Sequence, residues 1–311
     1  MVNRVNLLGL VLLFLLTSSV TAADGDKPAP TKIGKATSAI KIDGVLDEPA
    51  WQTATPVQVA YIWGKTGEAT KQPTMQSRFV WDDDYLYIGY ETFDKNLVAQ
   101  GTGESDGPKT NRREGAHIAH PTEKVDVVEF FVSFGDERLF WELHHNAKNQ
   151  FNDIWCTVVD DSAPIVKTTR GRFGILFGVH DFVDDDVDAG HTLLSAVKMK
   201  PRSDGQPSTI NNPADEDTGY VGELRLPWSG LGGPTASETF QTVKSADANA
   251  PQKQLHGPWK MAGEQLLILS VFQDGDLENH YHHSSPGFPG GWFHKGSPQW
   301  PRYVLQGPPA Q

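Results

Sequence analysis

No stretch of this chain keeps an apolar stripe at helical spacing for three turns, and that constrains its fold more than any other feature. What recurs instead is short runs of β-branched and aromatic residues, cut by Asp, Asn and Gly turns. "MQSRFVWDDDYLYIGYETFD" (75–94) holds two such runs joined at Asp82–Asp84 and predicts a hairpin. "KVDVVEFFVSFGD" (124–136) alternates, with Val125, Val127 and Glu129 on one face and Asp126 and Val128 on the other. "RLFWELHHNAKNQFNDIWCTVV" (138–159) predicts two strands around an Asn-Ala-Lys-Asn turn. Further strands are expected within 171–181, 191–200, 219–227, 264–276 and 302–306, and polar segments at 101–121, 201–218 and 234–258 read as long loops. The aromatic, His-, Gly- and Pro-rich stretch 279–300 reads as another loop. The expected fold is all-β: a two-sheet antiparallel β-sandwich, jelly-roll-like, with long loop insertions. One domain would span 38–306, behind a 24–37 linker and before a 307–311 tail.

The first residues are excluded from that fold. Arg4, an apolar run Leu7–Leu16 and a small-residue end at Thr21-Ala22-Ala23 form the pattern of a secretory signal peptide over 1–23. The run is shorter than the ~20 residues a membrane span needs. The expectation is therefore a secreted or periplasmic protein with no membrane association after cleavage. A formal net charge of −12 makes nucleic acid a poor partner. The single cysteine, Cys156, rules out an internal disulfide and a Cys-type zinc site, and it reads as a small core residue of a buried strand.

"IKIDGVLDEPAW" (40–51) opens the folded part. Ile40 and Ile42 share one face of a strand end, and Asp43-Gly44 is a turn pair. Asp47 can cap a short helix with Pro49 in its first turn, which brings Trp51 onto the core about one turn later. This is packing grammar, an edge hairpin pinned by a tryptophan. The stretch also resembles the opening signature of family 9 carbohydrate-binding modules. Other blocks follow in the family's order: "RFVWDDDYLYIGYETFD", "KVDVVEFFVSFGD", "FWELHHNAKNQFND", "GYVGELRLPWSGLG" and "FHKGSPQWPRYVL". The resemblance covers about residues 38–305 in separated blocks.

The resemblance implies a cleft on a β-sandwich that grips sugar, with aromatic rings on pyranose C–H faces and charged or amide groups on the hydroxyls. Carried over by position, Glu129 stands at the family carboxylate, His144 where a member can present an Arg, and Asn146 at the turn Asn. Trp292 and Phe293 stand in the late loop where a stacking Trp is placed, followed by His294. Each also has a structural reading: Glu129 could pair with Arg138, Asn146 could organise its turn, and His294 could be structural. The second clamp ring of the family is replaced by Pro121, Thr122 and Glu123. Trp63, Trp155 and Trp300 are the rings available to take its place.

The implied cofactor is a structural Ca²⁺, and the oxygen-rich segments "WDDDYL", "DFVDDDVD" and "NPADEDTG" suit it, though each also reads as a solvated acidic turn. His144, His145, His280, His282, His283 and His294 supply a diluted metal-ligand signal. No nucleophile elbow, phosphate loop or zinc-hydrolase pattern occurs, so the chain reads as non-catalytic. The expected function is an exported carbohydrate-binding protein that recognises sugars or polysaccharide chain ends and supports carbohydrate catabolism. The alternatives are a b-type haem electron-transfer domain, using one of Met75, Met199 or Met261 with a His, and a ligand-free structural domain.

Overall fold

The period-two runs fold as strands. The computed structural model describes residues 29–62, 70–99, 109–110, 125–133, 139–158, 175–178, 193–228, 262–263, 265–275, 281–285 and 300–307. In chain order the elements are β1 (Thr31–Lys35), α1 (Pro49–Thr53), β2 (Val57–Val59), β3 (Tyr61–Ile62), β4 (Met75–Trp81), β5 (Tyr85–Thr92), β6 (Lys109–Thr110), β7 (Val127–Ser133) and β8 (Leu139–His145). They continue as β9 (Phe151–Val158), β10 (Ile175–Gly178), β11 (Leu194–Met199), β12 (Tyr220–Pro227), β13 (Gln265–Asp274), β14 (Tyr281–Ser284) and β15 (Arg302–Leu305). The expected β4–β5 hairpin and the β8–β9 pair are present.

Hydrogen bonding links these strands in one curled path, β10-β9-β8-β7-β13-β15-β1-β4-β5-β12-β11-β6. The joint is β1. Thr31–Ile33 run parallel to β15, and the next residues, Gly34 and Lys35, run parallel to β4. The sequence reading placed 24–37 in a linker, because Pro and Lys in "DGDKPAPTK" weaken the strand signal. Residues 31–35 are instead the strand that ties the two halves of the path, since their backbone groups complete ladders on both sides. Tyr281–Ser284 likewise joins the sheet beside β13, where the sequence suggested only loop, and Lys109–Thr110 pairs with β11 within the expected 101–121 loop.

The inner faces of the two halves share one core. Phe79 of β4 meets Phe130 of β7 edge-on at 6.3 Å and Tyr303 of β15 at 5.3 Å. Tyr90 of β5 lies 5.7 Å from Phe130, and the Ser77 and Ser270 hydroxyls meet at 3.0 Å across the same interior. Each fully buried ring contributes roughly 1.5–3 kcal/mol. A polar chain threads this core. The Tyr90 hydroxyl donates to His145 Nδ1 at 2.6 Å, and His145 Nε2 donates to Asn149 Oδ1 at 2.8 Å. Asn149 takes a left-handed backbone, φ 53°, to reach it.

The 40–51 stretch does not form a hairpin. Ile40, Ile42 and Trp51 are buried on the outer face of the β4–β5–β12–β11 half, against Val80, Tyr87 and Ala196. A single carboxylate organises the stretch. Glu223 of β12 accepts the Asp43 and Gly44 backbone N–H groups at 2.9 and 2.7 Å and the Trp51 indole Nε1–H at 3.1 Å. Gly44 has φ 81°, and a Cβ there would stand 2.9 Å from the Lys198 backbone nitrogen. Gly89 leaves room beneath, where a Cβ would come within 2.6 Å of Leu46 and 3.2 Å of the Trp51 ring. Glu48, not Asp47, is the N-cap residue of α1, with Pro49 first in the helix. The Glu48 carboxylate instead accepts the Lys41 backbone N–H at 3.0 Å.

Burial pushes the Glu223 carboxyl up from 4.5 to about 7, against the pull of its N–H donors. The folded state therefore holds this proton more tightly than the unfolded chain. The associated stability is full below pH 4.5 and is lost as pH rises to about 7. Urea melts of wild type and Glu223→Gln across pH 4.5–7.5 should show the difference in unfolding free energy between the two proteins shift by about 3 kcal/mol over that interval. Parallel curves would contradict it.

Candidate functional site

Alternation along β7 and β8 decides what each side chain meets. Val128, Phe130 and Val132 of β7, with Trp141 and Leu143 of β8, belong to the core. The intervening residues Val127, Glu129 and Phe131, with Phe140, Glu142 and His144, project from the opposite face. In the ladder Glu129 lies directly across from His144, and Phe131 across from Glu142. This brings two residues of the expected site into one cross-strand pair and adds a third group that the sequence reading missed. His144 Nε2 stands 2.7 Å from Glu142 Oε1. Glu129, Glu142 and His144 are 6%, 2% and 1% exposed, so this outer face is covered rather than open to bulk water. Glu142 was legible in principle: it is two residues before His144, on the same side of a strand.

Aromatic rings lie on the same face. Phe131 and Phe140 are 6.0 Å apart, and Trp300 packs on them at 5.6 and 5.2 Å. Among the described residues the buried Trp300 indole Nε1–H has no hydrogen-bond acceptor. Of the tryptophans offered as a replacement for the absent clamp ring, Trp300 is the one placed here; Trp63 lies outside the described residues, and the side chain of Trp155 does too. The arrangement sets a carboxylate–imidazole group beside a ring cluster. Chemically, that combination can accept and donate hydrogen bonds to hydroxyls while offering an apolar platform.

Asn146 is committed to its turn. Its side-chain oxygen accepts the Lys148 and Gln150 backbone N–H groups, each at 3.0 Å, and its amide donates to Gln150 Oε1 at 2.9 Å. It shapes the β8–β9 connection that follows His144 and His145. Trp292, Phe293 and His294 lie outside the described residues, as does the acidic segment 181–188. The other two acidic segments are engaged internally. Asp82 accepts the Asp84 and Tyr85 backbone N–H groups and the Tyr87 hydroxyl, and Asp83 pairs with Lys35. Asp215 pairs with Arg202, Glu216 with Lys95, and Asp217 accepts the Leu97 and Thr209 backbone N–H groups. Asp217 is 2% exposed, so the second segment is an internally bonded turn rather than a solvated one.

A different acidic group assembles from three separate segments. Asp94, Asp126 and Asp274 each bring a carboxylate oxygen within 4.8 Å of the others. Asp126 accepts the Val98 and Gly275 backbone N–H groups at 2.5 and 2.8 Å. Among the described residues the buried Asp94 Oδ2 has no hydrogen-bond donor. Burial, and for Asp126 the neighbouring Asp94 charge, push both carboxyls up. The donor set, all oxygen and partly unsatisfied, fits a hard divalent cation. No spacing in the sequence announces it, although each residue stands at a strand boundary. As for haem ligands, Met75 is wholly buried in the core and Met199 packs against it, while Met261 lies outside the described residues.

Residues 42–132 match the family described as carbohydrate family 9 binding domain-like. Among curated proteins no sequence matches this chain. Among solved structures, a candidate carbohydrate-binding protein from Bacteroides uniformis aligns over 89% of this chain and 99% of its own, at 12% identity and a TM-score of 0.51. A family 9 carbohydrate-binding module from Caldicellulosiruptor kristjanssonii aligns in its cellotriose complex over 90% of this chain and 95% of its own, at 13% identity and a TM-score of 0.46. Its glucose complex aligns over 90% and 98%, at 13% identity and a TM-score of 0.46. Sequence blocks and the match over residues 42–132 agree: this part of the chain is like the carbohydrate family 9 binding domains.

Proposed function

We propose that this chain is an exported, non-catalytic carbohydrate-binding protein whose site is the outer face of β7 and β8. The observation that carries the reading is the juxtaposition of Glu129, Glu142 and His144 with the Phe131–Phe140–Trp300 rings. The family match supports it, as do the glucose and cellotriose that the Caldicellulosiruptor kristjanssonii module holds. The Trp292–Phe293–His294 loop supplies the further stacking surface, and the two halves of the strand path act as the two sheets of a sandwich. The signal-like segment 1–23 directs export to the periplasm or medium, where the protein serves carbohydrate catabolism.

In binding, Glu129 and Glu142 accept hydrogen bonds from hydroxyls and His144 is held by Glu142 so that its ring is oriented. The near-complete burial of these groups favours a second reading, a scaffold that has lost its ligand. A glycan array followed by calorimetry with glucose and cello-oligosaccharides separates the two. Wild type should bind, and Glu129→Gln, His144→Ala and Trp292→Ala should each weaken binding about 10- to 100-fold, the cost of a charged hydrogen bond or a stacked ring. If wild type binds no glycan, the carbohydrate reading is lost.

We also infer that Asp94, Asp126 and Asp274 hold a structural Ca²⁺. The ion would neutralise three crowded carboxylates and tie the β5 end, the β7 start and the β13 end together. Saturating Ca²⁺ should raise the melting temperature over EDTA-treated protein by about 5 °C or more, and Asp126→Asn should remove the difference. Equal melting temperatures with and without Ca²⁺ would overturn this assignment.

A further inference from the structure

The outer face of the β4–β5–β12–β11 half holds a crevice that none of the sites above uses. The 40–54 segment covers the middle of that face. Where this cover ends, a cavity of about 550 Å³ opens, within the ~300–1,000 Å³ range of small-molecule sites. Its floor follows from register. Gln76, Glu91, Val221 and Lys198 form one row across the four strands, and Arg78 lies two residues along β4 on the same face. Leu46, Pro56 and Pro201 supply apolar walls.

The charge of this crevice opposes that of the molecule. Arg78, Lys198 and Lys200 line it with one carboxylate, Glu91. Three cations against one anion leave an excess of two positive charges, on a chain whose formal net charge is −12. Two of the cations share the one carboxylate as loose ion pairs: Arg78 Nη1 is 3.7 Å from Glu91 Oε1, and Lys200 Nζ is 3.7 Å from Glu91 Oε2. Among the described residues the Arg78 guanidinium has no other polar contact. Lys200 is fixed in place by donating to the Thr92 carbonyl at 3.1 Å and by sitting 4.0 Å over the Phe93 ring.

An ammonium and a guanidinium that share a single carboxylate flank a space walled by apolar side chains. An incoming carboxylate would take charge-assisted bonds from both cations. Glu91 between them and the acidic remainder of the molecule favour a guest of low negative charge. A phosphate dianion or a sulfated polymer would meet that carboxylate at close range and the acidic remainder of the molecule beyond it. The cavity volume suits a guest of one or two rings. We propose that this crevice binds a small ring carboxylate through Arg78 and Lys200, independently of the Glu129 face. Two sources share that chemistry: an acidic sugar, with Glu91 and Gln52 meeting its hydroxyls, and an apolar ring acid lying on Leu46 and Pro56.

Calorimetric titration of the full chain with D-glucuronate, cyclohexanecarboxylate and D-glucose tests it. At least one of the two acids should bind, and whichever is tighter identifies the source. Arg78→Gln and Lys200→Gln should each weaken that binding tenfold or more, with the melting temperature unchanged in at least one of them. Glu129→Gln should leave acid binding as in wild type, which separates this site from the carbohydrate face. The proposal is overturned if neither acid binds, or if both variants bind the acid as tightly as wild type.

Discussion

The carboxylate of Glu223 is the interaction on which the outer architecture depends. It sits on a central strand of one half, facing away from the core, where an unpaired carboxylate would be costly. Three N–H groups from the 43–51 segment meet it. The segment thereby gains a partner for two backbone donors at a sharp bend and for the indole of a buried tryptophan. Without Glu223 those donors would face an apolar surface formed by Val80, Tyr87 and Ala196. The same cover creates the edge at which the Arg78–Lys200 crevice opens. One residue thus governs a fold element and the boundary of a cavity.

The two halves of the strand path use their outer faces differently. On the β4–β5–β12–β11 side the face is closed by the chain's own early segment, and the groups left uncovered are mainly cationic. On the β7–β8–β13 side the face carries carboxylates, an imidazole and aromatic rings, all buried. Both faces follow from the strict period of two, since every residue that serves the core leaves its neighbours to serve the other side. The shared interior then holds the halves in contact through Phe79, Phe130, Tyr90 and Tyr303, and the Tyr90–His145–Asn149 chain adds direction to that contact.

Much of this was legible from local pattern. The hairpin about Asp82–Asp84, the strand through Glu129 and the Asn146 turn follow from alternation and turn chemistry, and the structure places all three as expected. The pairing of Glu129 with His144 was not legible, because register depends on turn geometry as well as on pattern. The role of β1 escaped for a related reason. "TKIGK" has one strongly apolar residue, Ile33, and only ladders on both sides make it a strand. The 40–51 stretch was read as a hairpin because Asp-Gly usually closes one. Here the turn instead delivers two N–H groups to a carboxylate distant in sequence.

The sequence by itself determined the all-β class, the strand runs, the acidic character and the resemblance of its blocks to family 9 modules, because these depend on periodicity and composition that neighbouring residues settle among themselves. The tertiary structure alone decided which distant groups meet. Asp94, Asp126 and Asp274 converge only because three strand ends do. Phe131 and Phe140 gain a third ring only because Trp300 returns from the far end of the chain. Arg78, Glu91 and Lys200 become a site only because four strands align in register. Long-range pairing carries no local signal, so the chemistry that rests on it appears first in the folded chain.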